Sequence, residues 1–216
     1  MNKISIQSNI IMIAAKNGDY RIPVRDVIYI ESELRTINIY TADDTYHCYE
    51  RLDLIEKQLV RFGFIRCHQN YLVQADYIIC FDNHTLQLRG TDFAVPVSRR
   101  CHKEICEHML DDNYNGILTC IEGFYAGYIV KLEPNQPFMI GRDGNVADII
   151  IQLPMVNRLH CRLIYHDYNG EYEITDYSSN GTFIHDDIRL IPKQSYTLEP
   201  DSTICFGDRT NIFKVL

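Results

Sequence analysis

The sequence predicts a mainly β protein with a few helices, built as two domains, the second of which is an antiparallel β-sandwich. Segments such as "TINIYT" alternate apolar and polar residues with the period of a strand, and helical spacing occurs in only two stretches, both in the first half. After the midpoint, short strand patterns recur at roughly eight- to twelve-residue intervals, which is typical of a sandwich. A chain of 216 residues has room for two small domains with separate cores.

The first half begins with strands. The N-terminal segment "MNKISIQSNIIMIAAKNGD" has an apolar run interrupted by polar residues and predicts a first strand, not a signal peptide. Two alternating segments, "VIYIES" and "TINIYT", are joined by "ELR", and "TYHCYE" follows the turn-like "ADD". Further along, "YIICFD" and "LQLRG" predict a hairpin around Asn83 and His84.

Two helices are predicted in the same half. In "RLDLIEKQLV" the residues Leu52, Ile55 and Leu59 fall on one helical face. Ser98 is placed as the N-cap of a second helix over "RRCHKEICEHML", where apolar residues recur at four-residue spacing. The cysteines and histidines of "CHKEICEH" spread around such a helix instead of converging, so we expect helix packing there and no zinc site.

A polar, turn-prone segment, "DDNYNG", separates the two halves and predicts a linker at residues 111–116. The domains are therefore predicted at residues 1–110 and 117–216. In the second of these, strand patterns such as "ILTCIEG", "CRLIYH", "EYEITD" and "NIFKVL" alternate with turn signals such as "DYNGE" and "SSNG".

Composition restricts the function classes. No apolar run approaches the roughly 18–20 residues of a membrane span, so we expect no membrane association and a cytoplasmic location. The eight cysteines are scattered without a CxxC pair, which predicts free thiols, and neither a metal nor a cofactor is expected. The net charge of −8 divides into −3 for residues 1–112 and −5 for residues 113–216, so nucleic-acid binding would need a local basic face.

The segment "FIRCHQNYLVQADYI" places Arg66, His68, Gln69 and Asn70 between two strand-like runs. A catalytic interpretation lacks a nucleophile in a recognisable elbow, and a metal site would have only one clear ligand. Arginine and amide side chains do pair with base edges or hold phosphates, which favours a nucleic-acid contact. The residues alone leave a polar connection without any partner equally open.

The same segment, preceded by "VIYIES" and "TINIY" and followed by "FAVPVSRRCHKEI", resembles the LytTR DNA-binding family over nearly all of residues 15–110. The resemblance implies a ten-stranded type of fold whose loops, without a recognition helix, enter successive major grooves of double-stranded DNA. The implied DNA-binding residues are Arg35, Gln69, Asn70 and Arg99. Arg66 and His68 match structural positions of the motif, an arginine held by a carboxylate and a histidine that satisfies backbone groups.

The chain departs from the LytTR pattern at two places. Gln74 stands where the family commonly has Asn, and Gln69–Asn70 stands where it commonly has Asn–Ser or Arg–Ser. Both replacements keep hydrogen-bonding ability, so DNA binding is expected while the base preference is not carried over. Because residues 1–110 lack a basic surplus, we expect a modest phosphate footprint, for which a homodimer on repeated half-sites would compensate.

In the second half, "MIGRDGNVADIIIQLPMVNRLHCRL" and "YEITDYSSNGTFIH" carry the informative pattern. A P-loop is excluded because no Gly-Lys-Ser/Thr follows the glycines, and a calcium loop at "DGNVAD" lacks the central Gly and terminal Glu. What remains is a cluster of binding loops at one end of a sandwich. Three blocks, Gly141-Arg142, Asn157-x-x-His160 and Ser179-Asn180-Gly181, resemble the forkhead-associated (FHA) family.

That family binds phosphothreonine peptides, and the resemblance assigns roles to the matching residues. The implied contacts are Arg142 as the charge on the phosphate, Ser179 as a hydroxyl donor, Arg158 on the phosphate or a peptide acid, and Asn180 on the peptide backbone. Gly141, His160 and Gly181 match architectural positions. Asn157 replaces the usual serine, and its longer amide still offers an N–H donor, so phosphopeptide binding is expected but a scaffold that has lost phosphate recognition stays open.

Two function hypotheses follow. The first is a bacterial transcription regulator that binds DNA and docks on a threonine-phosphorylated protein, linking Ser/Thr kinase signalling to promoters. The alternative is a phosphopeptide-binding adaptor or dimerisation scaffold without DNA binding, favoured by the 13 basic and 14 acidic residues in residues 1–110. An enzyme is not expected, since the acids and histidines show no spacing that a reaction template requires.

Overall fold

The computed structural model describes residues 3–15, 18–111, 116–185 and 188–216. It is mainly β with two α-helices among these residues, which confirms the predicted fold class. The chain divides into two compact units, residues 1–108 and 109–216. Most of the predicted linker, residues 112–115, lies outside the described residues, so the domain limits 1–110 and 117–216 stay predictions.

The N-terminal unit opens with a three-stranded antiparallel sheet, formed by β1 (Lys3–Gln7), β2 (Ile10–Ala15) and β3 (Gly18–Pro23). The prediction of one strand here was wrong, because the polar pair Ser8–Asn9 forms a two-residue turn between two strands. Both residues have positive φ, 45° and 69°, as hairpin turns of this length require. Asparagine tolerates that backbone region better than most residues, which explains its place in the turn.

The central sheet of this unit has the order β6-β5-β4-β8-β7. Its strands are β4 (Val27–Glu33), β5 (Thr36–Thr41), β6 (Thr45–Cys48), β7 (Phe64–His68) and β8 (Tyr71–Gln74). Helix α1 (Leu52–Leu59) connects β6 to β7 and buries Leu52, Ile55 and Leu59, the face that the spacing predicts. These residues join the strand residues Ile30 and Ile39 in one apolar core.

A third set of strands completes the unit: β9 (Ile78–Phe81), β10 (Thr85–Leu88) and β11 (Val95–Pro96). The β9–β10 hairpin turns at Asn83, whose φ of 74° is left-handed, at the predicted place. Helix α2 (His102–Met109) follows, with Ile105 and Met109 fully buried. The backbone carbonyl of Ser98 accepts hydrogen bonds from the N–H groups of Cys101 and His102, so the chain starts to coil at that residue.

The C-terminal unit is a β-sandwich of two sheets, with strand orders β13-β12-β22-β21-β18-β19 and β15-β14-β16-β17-β20. Its strands are β12 (Ile117–Glu122), β13 (Ile129–Lys131), β14 (Pro137–Gly141), β15 (Ile149–Ile150), β16 (Cys161–His166), β17 (Glu171–Asp176), β18 (Thr182–Ile184), β19 (Ile188–Arg189), β20 (Ser195–Leu198), β21 (Thr203–Phe206) and β22 (Ile212–Val215). The pairings are antiparallel except β14–β15, which is parallel.

All eight cysteines carry free thiols, and six of them are buried. Burial raises the pKa of the Cys67 thiol to about 12 and that of Cys120 to about 11. Within the described ranges, no group of three or more His, Cys, Asp and Glu side chains could hold a metal ion. Neither of the two α-helices there, each of eight residues, is long or apolar enough to span a bilayer.

Candidate functional sites

The first candidate site lies at one end of the central sheet, where three loops meet. Strand β4 ends in a two-residue connection, Leu34–Arg35, that leads into β5, with Glu33 opposite Thr36. Strand β8 runs antiparallel to β4 and begins opposite Glu31, so the Gln69–Asn70 turn that precedes β8 lies at the same end. The backbone N–H of Ser32, near the end of β4, donates to the carbonyl of Asn70 at 2.8 Å and holds the Gln69–Asn70 turn beside that strand end.

The third loop is fixed to the same end through β7. The N–H of Ser98 donates to the carbonyl of Cys67 at 2.9 Å, one residue before the strand ends at His68. Arg99 and Arg100 therefore emerge beside the Gln69–Asn70 turn. Arg35, Gln69, Asn70 and Arg99, the four residues predicted to contact DNA, are all exposed.

The side chain of Arg66 holds the Gln69–Asn70 turn through hydrogen bonds to its backbone. Its Nε donates to the carbonyl of His68 at 2.6 Å, its Nη1 donates to Glu56 Oε2 at 2.6 Å, and its Nη2 donates to the carbonyl of Gln69. One rigid guanidinium fork thus joins helix α1 to two consecutive carbonyls of the loop. This is the carboxylate-held arginine that the resemblance implied.

His68, the last residue of β7, also contacts the backbone of the Gln69–Asn70 turn. Its Nδ1 accepts a hydrogen bond from the N–H of Asn70 at 3.3 Å, a backbone contact of the kind implied for this residue. Its ring lies 5.8 Å from that of Tyr71. Gln74, the other departure from the family pattern, is buried in the sheet and does not reach the loops.

A polar network supports these loops and was not found from the sequence. Tyr71 and Tyr40 donate from their hydroxyls to Glu31, at 2.6 Å and 2.9 Å, and Asn38 lies 3.5 Å from the same carboxylate. Burial acts to raise the pKa of Glu31, but these hydrogen bonds outweigh it and hold the pKa below its ordinary value. The alternation of β4 gave no signal for this network, because a single glutamate on a strand is usually a solvated residue.

The second candidate site lies at the loop end of the sandwich. The backbone N–H of Arg142 donates to the carbonyl of Asn157 at 3.0 Å, and the N–H of Asp143 donates to that of Arg158 at 3.3 Å. These bonds hold the loop after β14 against the loop before β16. Gly141 is required at this crossing, because a Cβ there would overlap the carbonyl oxygen of Arg158.

His160 joins two loops from a fully buried position. Its Nδ1 accepts from the N–H of Asn157 at 3.1 Å, and its Nε2 lies 3.2 Å from the carbonyl of Gly181, to which it donates. Burial lowers the pKa of His160, against an opposing effect of Asp176, so the ring stays neutral and can both accept and donate. Gly181 itself has a φ of 96°, a conformation that glycine adopts without strain.

The residues predicted to contact phosphate fall into two groups. Arg142 and Arg158 line an open groove of about 730 Å³, together with Asp143, Gly144, Gln152, Leu153 and Pro154. Asn157 and Ser179 form a hydrogen-bonded pair outside the lining, with 3.1 Å between Asn157 Nδ2 and Ser179 Oγ. Since this bond uses one amide N–H, the second N–H of Asn157 is left for a ligand.

Asn180 and two further residues complete the loop end. The Asn180 amide donates to the carbonyl of Met155 at 2.8 Å, which ties the loop after β17 to the loop before β16. Arg189 donates to the carbonyl of Ser179 at 3.2 Å and was not found from the sequence. Asp143 was missed as well: hydrogen bonds from Asn145, with the nearby Arg158 and Arg142, lower the pKa of its carboxyl, so the groove contains a charged acid.

Family models match both halves of the chain. The LytTr DNA-binding domain matches residues 17–110, and the FHA domain matches residues 138–207. The protein is therefore one that combines two different binding domains on a single chain. Its N-terminal half contains a LytTr DNA-binding domain and its C-terminal half an FHA domain, as the two resemblances in the sequence indicated.

Curated relatives align with one half each. Sensory transduction protein LytT of Bacillus subtilis is 34% identical over 88 residues, 39% of this chain and 36% of the relative. Transcriptional regulatory protein YpdB of Escherichia coli is 30% identical over 92 residues, 40% of this chain and 38% of the relative. Nuclear inhibitor of protein phosphatase 1 of Homo sapiens is 29% identical over 83 residues, 38% of this chain and 23% of the relative. The chain thus spans well under half the length of each of these relatives.

Proposed function

We propose that this protein is a bacterial, cytoplasmic transcription regulator with two binding partners. Its N-terminal domain, residues 1–110, binds double-stranded DNA, and its C-terminal domain, residues 117–216, docks on a phosphothreonine-containing protein. The chain would thereby link Ser/Thr kinase signalling to transcription. The names of two relatives, a sensory transduction protein and a transcriptional regulatory protein, are in keeping with this role.

One observation carries the DNA-binding part of the proposal: three exposed loops are held side by side at one end of the central sheet. The bonds from Ser32 to Asn70 and from Ser98 to Cys67 are main-chain bonds, so the arrangement exists before any ligand arrives. Gln69 and Asn70 present amides that pair with base edges, and Arg35 and Arg99 present guanidinium groups for phosphate or guanine.

The DNA-binding proposal is tested by selecting duplexes from a random pool with the full chain and measuring affinity across a salt series. Arg99→Ala should weaken binding and reduce the salt slope by about one, since each phosphate contact contributes roughly 0.9 to that slope. Arg25→Ala is the matched control, because Arg25 is 88% exposed and precedes the opposite end of β4. Failure to enrich any duplex, or equal effects of the two variants, contradicts the proposal.

A different observation supports the phosphopeptide part. Two guanidinium groups, those of Arg142 and Arg158, line one groove, and Asn157, which offers an amide donor, directly precedes Arg158. A phosphate dianion is best held by guanidinium groups plus neutral N–H and O–H donors. In a unit with 8 basic and 13 acidic residues over 113–216, this groove has two arginines against the one acid Asp143, and the local positive excess favours an anionic ligand.

Calorimetry with a phosphothreonine peptide library, and with the unphosphorylated peptides alongside, tests this part. Arg142→Ala should abolish measurable binding, and Arg158→Ala should weaken it at least tenfold. Lys214→Ala serves as the control, because Lys214 lies on β22 in an ion pair with Asp201 and outside the groove. Equal binding of phosphorylated and unphosphorylated peptides would contradict phosphothreonine recognition.

The adaptor alternative keeps one supporting observation, the near balance of basic and acidic residues in residues 1–110. Glu31 and the exposed Glu33 also lie close to the loop end of the central sheet. The duplex selection and the calorimetry together distinguish a regulator from an adaptor, because an adaptor binds phosphopeptide and enriches no duplex. A regulator that acts as a homodimer would additionally select repeated half-sites at a fixed spacing.

A further inference from the structure

The tip of the β4–β5 hairpin contains a residue that the fold does not explain. Leu34 is 99% exposed, so its entire apolar side chain lies in water. Its φ is 55°, in the left-handed region where an L-residue is strained and where two-residue hairpin turns favour glycine at the first central position. The backbone at this position thus costs free energy, and the exposed side chain makes no packing contact among the described residues that would offset it.

The residues around Leu34 are polar. Arg35 follows it directly, and the Ser32–Asn70 bond places the Gln69–Asn70 turn beside the same hairpin end. Leu34 is therefore an apolar tip between the exposed Glu33 and Arg35, beside the exposed amides of Gln69 and Asn70 that would contact DNA. A protein partner seated on this end would have to desolvate those groups, whereas DNA phosphates and base edges satisfy them.

We propose that Leu34 contacts the C5-methyl group of a thymine in the major groove and is thereby a specificity-determining residue. This inference rests on the proposed DNA binding and adds the base that this chain's first loop reads. The thymine methyl is the distinctive apolar feature of the major-groove edge of a base pair, and an aliphatic side chain is its natural contact. Arg35 and the amides of Gln69 and Asn70 would read or hold the polar groups on either side.

The energetics set the size of the expected effect. Removing one methyl group from water contributes about a fourfold change in affinity, and burying most of a leucine side chain contributes roughly tenfold or more. The strain at φ 55° is present with or without DNA, so it does not reduce the affinity. Replacement of the leucine by glycine removes the contact and relieves the strain at once.

The test uses the full chain and a duplex selected from a random pool by the wild-type protein. Each thymine is replaced in turn by deoxyuridine, which lacks only the C5-methyl group. We expect one thymine per half-site whose replacement weakens wild-type binding about fourfold. Leu34→Gly should bind the thymine duplex roughly tenfold more weakly, ignore the deoxyuridine replacement, and melt at an unchanged or higher temperature.

Leu54→Ala is the matched control, because Leu54 is a 43% exposed leucine on α1, outside the three loops. It should leave DNA affinity and the deoxyuridine response unchanged. If no duplex is selected, the proposed DNA binding itself fails. If a duplex is selected but Leu34→Gly binds it like the wild type, or every thymine tolerates the replacement, DNA binding stands and the role of Leu34 is wrong.

A third outcome also overturns the inference. If sedimentation shows that Leu34→Gly loses self-association while each monomer binds DNA with unchanged affinity, Leu34 belongs to a contact between copies of this chain. The deoxyuridine response distinguishes this case, because a protein–protein contact is indifferent to the methyl group of a base.

Discussion

Replacing Arg66 by methionine should release the Gln69–Asn70 turn while leaving the sheet folded. Methionine keeps an apolar stem of similar length and removes the guanidinium that donates to Glu56 and to the carbonyls of His68 and Gln69. The Arg66 side chain is only 19% exposed, so these bonds are partly shielded from water. With about 1 kcal/mol for each of the three bonds after partial replacement by water, the loss of stability is about 3 kcal/mol.

The same change should weaken DNA binding, because a released turn must be ordered again in the complex. Fixing the backbone of a residue costs about 1–2 kcal/mol, so ordering Gln69 and Asn70 should reduce affinity at least tenfold. Stability is measured by urea unfolding, turn order by hydrogen exchange at residues 69–70, and affinity by titration of a selected duplex.

Glu56→Gln is the control that distinguishes loss of the Arg66–Glu56 ion pair from loss of the arginine's hydrogen bonds to the Gln69–Asn70 turn. The amide oxygen of glutamine still accepts from Arg66, so this variant should lose only about 1 kcal/mol and keep its DNA affinity. The reasoning is refuted if Arg66→Met loses stability as expected but binds the selected duplex as tightly as the wild type. In that case Arg66 stabilises the unit without positioning the turn.

Three further predictions concern single positions in the two units. Gly141→Ala should destabilise the C-terminal unit by about 1–3 kcal/mol, because the Cβ of the alanine would overlap the carbonyl of Arg158. Thermal unfolding should show a lower midpoint temperature, and an unchanged midpoint would contradict this prediction. Asp143→Asn should raise the affinity for phosphothreonine peptide severalfold in calorimetry, because it removes a charged acid from the groove. The asparagine keeps an oxygen that accepts from the N–H of Asn145, so the loop should be preserved. A lower affinity would exclude repulsion of the phosphate by Asp143. The pKa of Glu31 is lowered in the folded protein, so this carboxylate stabilises the fold above its unfolded pKa, and the stabilisation is lost as the pH falls through the folded pKa. In urea unfolding, Glu31→Gln should therefore lose less stability than the wild type between neutral and acidic pH. Equal pH dependence of the two proteins would contradict this prediction.

The strands and helices with a strong internal period were predictable from the sequence. Helix α1 shows why, since Leu52, Ile55 and Leu59 repeat at helical spacing and all face one core. The two-residue strands β15 and β19 were not predictable, because Ile149–Ile150 and Ile188–Arg189 have no period of their own and exist only through pairing with β14 and β18.

The candidate sites were predictable where a motif has a local signature and not where the chemistry depends on distant residues. The glycine at position 181 and the histidine at position 160 stand at recognisable spacings, and the structure joins them by a hydrogen bond. The contact between Glu31 and Tyr71 joins residues 40 positions apart, and no local pattern could indicate it. Leu34 was missed for another reason, since a single exposed leucine is an ordinary surface residue until its backbone conformation is known.

The three loops of the N-terminal unit are attached to their sheet by peptide groups, through the bonds from Ser32 to Asn70 and from Ser98 to Cys67. A peptide group is the same whatever side chain the residue bears. The residues at the loop tips can therefore be exchanged over generations, or by a protein engineer, without rebuilding the framework that holds them. Under the proposed DNA binding, a changed base preference would therefore need substitutions at only a few tip positions.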